Sequence, residues 1–441
     1  MKKVITYGTY DLLHYGHIRL LERAKELGDY LIVGVTSDDF DKRRGKINVS
    51  QSLIERIQGV KNTGLADEII VEEYEGQKID DIIKYGVDIF TVGSDWNGKF
   101  DYLKEYCKVV YLPRTEGVSS TKIRTETDKI NMGLFGIKGI VEKVAREIEY
   151  VNGMQIKAVF AEDDTHFSFN ATKYQDYDKF LDNIDAVYIA SHPEKHYFEI
   201  KKALEMGKNV LCETPIALTK RELEELFSIA EKNNCILMES NKTAYQTAYT
   251  RLLLLLKCGI IGDVVAINST CTSLENFYEN KANGKWNSIY YWGPTAVLPI
   301  FQIFGTNYKN KRIITKYLNK ESKFDIFTEI DFLYDNGVAS MKVASGVKSE
   351  GELIISGTKG YVYVPAPWWK MDYFEIRYEN PCYNKKYFYE LEGEGFRNTL
   401  IVFLKTIKSK RSANVIPQNI TEGVCQIIED FNNDIDVFKI E

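Results

Sequence analysis

The 441-residue chain is poor in the features that would place it quickly. Its seven cysteines, Cys107, Cys212, Cys235, Cys258, Cys271, Cys382 and Cys425, are scattered and odd in number, and no two form a C-x-x-C pair. That excludes a zinc ribbon and a disulfide framework, and it fits reduced, buried thiols. There is no basic excess. The net charge is −6, against the cationic footprint expected of a nucleic-acid binder. Nor is there a long apolar run: the longest block, Leu252 to Leu256, is far short of the ~20 residues that span a bilayer. The N-terminus reads Met-Lys-Lys and then passes into a strand and a polar turn rather than an apolar signal segment. A cytoplasmic protein with neither a membrane nor a nucleic-acid partner is expected. Internal repeats and low-complexity segments are missing as well.

What is present is ordinary globular material, 44% hydrophobic and 27% charged, with 29 Tyr and 22 Phe for large cores. The length suggests about three domains. Short apolar strands at Val4–Tyr7, Tyr30–Val35, Ile69–Val71, Ile89–Val92 and Val109–Leu112 alternate with amphipathic helices at Ile18–Leu27, Ile54–Asn62 and Ile79–Tyr85. Such alternation implies parallel crossover units and a doubly wound α/β sheet over residues 1–127. A second α/β series is expected over 132–245, with strands at Met132–Phe135, Ile156–Phe160, Ala186–Ala190, Asn209–Leu211 and Cys235–Met238. From 246 to 441 the texture changes to strand-like runs such as Val264–Cys271, Thr328–Leu333 and Ala339–Val343, which suggest an α+β domain with a largely antiparallel sheet.

The sharpest local pattern is Gly8-Thr9-Tyr10-Asp11-Leu12-Leu13-His14-Tyr15-Gly16-His17, where the first strand enters the first helix. Ligands of open α/β sheets bind there, and the helix's free N–H groups favour phosphate oxygens. His14 and His17, three residues apart, can face one ligand, and Gly16 lets the backbone approach it. Two imidazoles over a triphosphate suit phosphoryl-type transfer, where positioning and charge stabilisation dominate. Arg114, Ser119, Ser120 and Thr121 follow the fifth strand and form a second phosphate cradle, though any one hydroxyl there could simply cap a helix. The loop Lys42-Arg43-Arg44-Gly45-Lys46 is either a phosphate contact or a solvated face.

These segments, with Gly93-Ser94-Asp95-Trp96 and Tyr111-Leu112-Pro113-Arg114-Thr115-Glu116-Gly117, resemble the glycerol-3-phosphate cytidylyltransferases of the H-x-G-H nucleotidyltransferase family from Lys2 to about Ile123. The resemblance implies a complex of CTP, Mg²⁺ and a small polyol phosphate. His14 and His17 would stabilise charge on the triphosphate, and Lys46 and Arg114 would neutralise phosphates. Gly8, Thr9, Tyr10, Asp11 and Gly16 would line the nucleotide, with Asp11 positioning metal or substrate. Arg56 falls at a nucleotide-side arginine, Asp95 and Trp96 near cytosine and substrate, and Ser119–Thr121 on the family's hydroxyl run. Ser94 stands where the family has an acid, so the acceptor is open among glycerol phosphate and related polyol phosphates. A CDP-polyol made this way would serve cell-surface polymer, teichoic acid or capsule synthesis.

From about Met132 the chain resembles the Gfo/Idh/MocA oxidoreductases, through Asp185–Ala190, Ala203–Glu213, Gly259–Asp263 and Gly357–Gly360. Their glycine fingerprint is altered to Gly136-Ile137-Lys138-Gly139, where Lys138 replaces the second glycine and suits a phosphate, leaving NAD and NADP both open. Their Glu-Lys-Pro appears as Glu213-Thr214-Pro215, and their later acid and histidine fall on Tyr291 and Thr295. Threonine cannot serve as a proton donor as a tuned lysine can. Either the chemistry has moved, with Lys242 the nearest spare lysine, or this half has a structural or substrate-binding role. A homo-oligomer is expected, with Leu252–Leu256 serving as core or as interface.

Overall fold

A computed structural model describes residues 1–43, 49, 51–74, 76–113, 129–151, 153–163, 165–277, 285–320, 322–389, 391–409 and 415–440. Its residues form two compact units, Met1–Lys129 and Ile130–Glu441. All seven cysteines are free, and no helix among the described residues is long and apolar enough to cross a membrane.

The first unit carries strands β1 (Lys3–Gly8), β2 (Tyr30–Thr36), β3 (Glu68–Glu72), β4 (Ile89–Gly93) and β5 (Lys108–Leu112). They pair in the order β3-β2-β1-β4-β5, every pair parallel. Helices α1 (Tyr15–Lys25), α2 (Asp38–Arg43), α3 (Leu53–Asn62) and α4 (Gln77–Tyr85) connect them. Because both faces of a parallel sheet are covered, the strands read as unbroken apolar runs. Val4, Leu31 and Val33 pack into one core and Ile5, Ile32 and Phe90 into the other. The direction of winding reverses between β1 and β4, which opens a crevice at their carboxyl ends. Helix α3 starts on a capping box in which Ser52 accepts from the Glu55 N–H and Glu55 accepts from the Ser52 N–H.

In the second unit β6 (Ile130–Gly136), β7 (Met154–Phe160), β8 (Thr172–Tyr174), β9 (Ala186–Ala190), β10 (Asn209–Cys212) and β11 (Leu237–Glu239) form another all-parallel sheet, ordered β11-β10-β9-β6-β7-β8. Helices α5 (Lys138–Ile148), α6 (Tyr177–Asp182), α7 (Pro193–Glu205) and α8 (Lys220–Lys232) lie between them. A nine-stranded sheet follows. It contains β12 (Val264–Thr272), β13 (Asn310–Tyr317), β14 (Asp325–Leu333), β15 (Val338–Ala344), β16 (Leu353–Gly357), β17 (Tyr361–Val364), β18 (Tyr373–Arg377), β19 (Lys385–Phe388) and β20 (Val437–Lys439). Its order is β19-β18-β17-β16-β12-β15-β14-β13-β20. Only β12/β15 and β13/β20 are parallel.

Helices α9 (Thr247–Lys257), α10 (Ser288–Phe304), α11 (Phe396–Ser409) and α12 (Gln418–Asn432) pack the two sheets together. Chain order and packing part company here. Helix α11 returns to pack on α5, and α12 packs on α8 and α10. One core therefore runs from Met132 and Val141 through Leu252 to Ile267 and Phe403, across the 245/246 boundary expected from the sequence. Within Leu252–Leu256, Leu252 and Leu256 are buried while Leu254 is half exposed. Its stripe is helical, and the inner side is core.

Candidate functional site

The turn after β1 is a strained piece of backbone. Tyr10 (φ 52°) and Leu12 (φ 47°) both sit in the left-handed region, which side-chain-bearing residues adopt at a cost of about 1–3 kcal/mol each. Buried polar braces hold it there. Arg56 is completely buried; its Nη1 donates to the Thr9 and Thr36 carbonyls at 2.8 Å each, and its Nε donates to the Gln51 carbonyl at 3.2 Å. Its Nη2 donates to Asp38, and buried Asp41 lies 3.7 Å from its Nη1. Asp41 also accepts from the Thr9 hydroxyl at 3.0 Å and the Thr36 hydroxyl at 2.8 Å. Asp11, likewise buried, accepts from the Gln51 N–H at 2.9 Å, while the Gln51 side chain accepts from the Leu12 N–H at 2.7 Å.

On this base the two histidines come together. Their rings stack at 3.9 Å and 19°, and buried Tyr10 sets its ring against His17 at 5.5 Å. His14 is also the N-cap of α1: its Nδ1 accepts the Gly16 N–H at 3.1 Å. A ring nitrogen that accepts carries no proton, so Nε2 holds the hydrogen and is a donor. On the other side of the crevice, past β4, Ser94–Trp96 make a 3-10 turn with Asp95 exposed and Trp96 beside Phe100 at 5.7 Å. The Lys99 ammonium lies over the Trp96 ring at 5.2 Å.

The structure thus gathers Gly8, Thr9, Tyr10, Asp11, His14, Gly16 and His17 on one turn, and Asp95 and Trp96 on another flanking the same crevice. It turns Arg56 inward, toward the loop it braces. Lys46, Arg114, Ser119, Ser120 and Thr121 lie outside the described residues. Sequence reading missed Thr36, Asp38, Asp41 and Gln51. The polar end of β2 followed by two acids was the available signal. Among the described residues no group of three or more His, Cys, Asp or Glu side chains is placed to hold a metal ion.

The second parallel sheet has its own crevice. Gly136 (φ 129°) ends β6 so close to β9 that a Cβ would lie 2.2 Å from the Ala190 carbonyl carbon. Helix α5 then starts with no side-chain cap and no acid in its first turn, while a Cβ at Gly139 would meet nothing within 4 Å. The Lys138 side chain is half exposed beside that start, 4.0 Å from Glu142. An open, uncapped helix start with a cation beside it fits the pyrophosphate of a dinucleotide. Glu162, exposed just past β7, stands where such folds place a ribose-binding acid; sequence reading missed it, although an acid after the second strand was the signal.

At the ends of β9 to β11, partly buried Glu213 accepts from the Tyr188 hydroxyl and, at 3.0 Å, from the Ser240 hydroxyl. Burial pushes its carboxyl up, with the Lys242 ammonium and these hydroxyls opposing. Thr214 donates to buried Glu239, and Pro215 offers its carbonyl to His196 Nδ1 at 2.8 Å. Desolvation lowers His196 to about 4. Thr214 is thus a structural hydroxyl. Lys242 instead meets Glu394 at 3.6 Å, and burial lowers its ammonium pKa.

Comparison with known proteins matches both units separately. Residues 5–126 match the cytidylyltransferase-like family and 130–241 the oxidoreductase family with an NAD-binding Rossmann fold. A glycerol-3-phosphate cytidylyltransferase of Bacillus spizizenii is 54% identical over 126 residues, 29% of this chain and 97% of that protein. One from Staphylococcus aureus is 52% identical over 29% of this chain and 95% of its own length. The second unit has the fold of a 3-ketoreductase from Actinomadura kijaniata, solved with NADP and TDP-benzene (TM-score 0.62, 14% identity, 71% of this chain and 100% of that one). It also has the fold of a Klebsiella pneumoniae oxidoreductase described as putative (TM-score 0.58, 18% identity, 70% and 94%). The chain belongs, through its first unit, to the cytidylyltransferase-like family that includes the glycerol-3-phosphate cytidylyltransferases, and its residues 130–241 match the Gfo/Idh/MocA-type oxidoreductase family with an NAD-binding Rossmann fold.

Proposed function

We propose that the first unit transfers the cytidylyl group of CTP to a small polyol phosphate, glycerol phosphate foremost, forming a CDP-polyol and pyrophosphate. An oxygen of the acceptor's phosphate attacks the α-phosphorus of CTP, and the bond to the β-phosphate oxygen breaks. A phosphate monoester is already nucleophilic, so the protein's task is to position the reactants and stabilise charge on the leaving pyrophosphate. The observation that carries this reading is the stacked His14–His17 pair on a braced, strained turn at a helix start. His14 Nε2–H and His17 are the donors to the triphosphate, and Gly8, Thr9, Tyr10, Asp11 and Gly16 line it. Arg56 is a positioning residue that acts through the Thr9 carbonyl. We assign phosphate neutralisation to Lys46 and Arg114, hydroxyl contacts to Ser119, Ser120 and Thr121, and the base and acceptor side to Asp95 and Trp96. Mg²⁺ commonly keeps one or two carboxylates and takes substrate phosphates for the rest, which gives Asp11 a place at the metal. We assign this enzyme to the cytoplasm, supplying CDP-polyol to surface-polymer synthesis. The test is pyrophosphate release from CTP across glycerol 3-phosphate, glycerol 2-phosphate, ribitol phosphate and hexitol phosphate. Release with none of them overturns the reading.

A second reading concerns the other unit, in which the expected parts 132–245 and 246–441 share one core. The open start of α5 supports an NAD(P) site at Gly136, Lys138 and Gly139, with Glu213 and Pro215 on the nicotinamide side. The bound nicotinamide would supply hydride for a carbonyl reduction that prepares a polyol phosphate. Quenching of tryptophan fluorescence by NADH or NADPH tests it; no quenching by either leaves this unit as a binding or dimerisation module.

A further inference from the structure

Three lysines far apart in sequence converge on one carboxylate in the second unit. Lys370 donates to Glu394 Oε1 at 2.9 Å, Lys143 donates to Oε2 at 3.4 Å, and the Lys242 ammonium lies 3.6 Å from Oε2. The segments that carry them are tied together independently of that contact. The Trp369 carbonyl accepts from Thr243 Oγ1 at 3.1 Å and Gln246 Nε2 at 2.8 Å, which locks the turn of Lys370 onto the turn of Lys242. A Cβ at Gly395 would lie 2.8 Å from the Lys242 carbonyl oxygen, so the Glu394 loop is seated on that turn as well. Arg397 donates to Glu147 at 2.8 Å and fixes the same loop to α5, the helix of Lys143. Glu394 itself sits at φ 52°, between two glycines at positive φ.

We propose that this cluster is the binding site for the phosphate end of a small phosphate monoester, with Lys143, Lys242 and Lys370 as its cationic wall. Three ammonium groups offer nine N–H donors, and one carboxylate cannot take them all. Their charge exceeds that of Glu394 by two. The lysines pull Glu394 down to about 2 against the desolvation that opposes ionisation, so it stays charged. The other carboxyl acting on Lys242 is Glu213, and with both acids ionised the three ammonium groups still carry net positive charge. That surplus of positive charge suits an anionic ligand. Lys242 is three-quarters covered and rests on the Phe396 ring at 4.5 Å, so the wall has a rigid, partly desolvated centre where an ionic hydrogen bond is strong. Carbonyl reduction after binding rests on the second reading above; the binding does not.

The test is residue-resolved labelling of the full chain with an amine-reactive ester, read by peptide mass spectrometry, in the presence of dihydroxyacetone phosphate, unphosphorylated dihydroxyacetone or inorganic phosphate. Several-fold protection of Lys242 and Lys370 is expected with the phosphate ester and with inorganic phosphate, but not with the free ketone. Lys370→Met should weaken protection of Lys242 about tenfold in ester concentration, the loss expected for one ionic hydrogen bond. Glu394→Gln, which removes the competing internal anion, should strengthen it by a similar factor. Equal labelling in all arms, or protection by the free ketone alone, overturns the proposal. Pyrophosphate release and nicotinamide quenching, measured on the same preparation, report the other two readings separately.

Discussion

His14 does two jobs whose residue requirements differ, and that lets them be separated. As N-cap it needs only an acceptor for the Gly16 N–H; as a donor to phosphate it needs the imidazole Nε2–H. Asparagine is a good N-cap and alanine is not. His14→Asn should therefore leave thermal stability near that of the parent, whereas His14→Ala should cost about 1 kcal/mol. Both should slow pyrophosphate release by about 10²- to 10⁴-fold. Normal turnover in the His14→Asn enzyme would show that the cap, and not the donor, is what the site needs from this residue. Arg56 is the second informative position. Its planar fork reaches three carbonyls and Asp38 at once from a fully buried place, which an ammonium cannot reproduce. Arg56→Met strands buried Asp41 and should cost about 3–5 kcal/mol in urea unfolding. The histidine pair was legible in the sequence because three-residue spacing alone places both rings at a helix start. The braces were not, because Thr9 meets Asp41 and Arg56 only when residues 32 and 47 positions apart are folded together.

At the scale of elements, strand–helix alternation was readable because parallel strands covered on both faces are apolar throughout. All five strands of the first sheet sit where the apolar runs fall. Short pieces were missed: β8 has three residues, with side chains partly or fully exposed, so it has no apolar signature. The return of α11 and α12 onto the first half of the second unit was also hidden, since an amphipathic stripe says that a face is covered but not by what. The nine-stranded sheet contains a titration that its sequence does not announce. Asp325, at the start of β14, is fully buried and accepts from the Thr328 hydroxyl at 2.7 Å and the Ile289 N–H at 3.3 Å. Burial raises its carboxyl to about 6, those hydrogen bonds opposing. A carboxyl raised in the folded state binds its proton more tightly there, so its contribution is intact below about pH 4 and is lost as pH rises to about 6. Asp325→Asn should thus gain on the parent by roughly 2–3 kcal/mol between pH 4 and pH 7, followed as the difference between their denaturant midpoints. A difference that does not change with pH would mean that Asp325 titrates normally.

For the whole molecule, the decisive feature is that each unit encloses its own cores. Among the described residues, Val4, Leu31 and Phe90 lie in clusters built from the first unit, and Met132, Leu252 and Phe403 in a cluster built from the second. Cooperative unfolding follows shared cores, so two transitions are expected in calorimetry rather than one. Gly136→Ala provides the means to assign them. The added methyl would sit 2.2 Å from the Ala190 carbonyl carbon, on a backbone at φ 129° that an L side chain rarely adopts. The strand that must move is central in the second sheet, so a penalty of several kcal/mol is expected, at the large end for a single substitution. It should lower one transition by many degrees, leave the other in place, and keep pyrophosphate release from CTP within about twofold of the parent, well under the tenfold that about 1.4 kcal/mol would bring. Loss of cytidylyl transfer in Gly136→Ala would show instead that the first unit depends on the second for its active conformation.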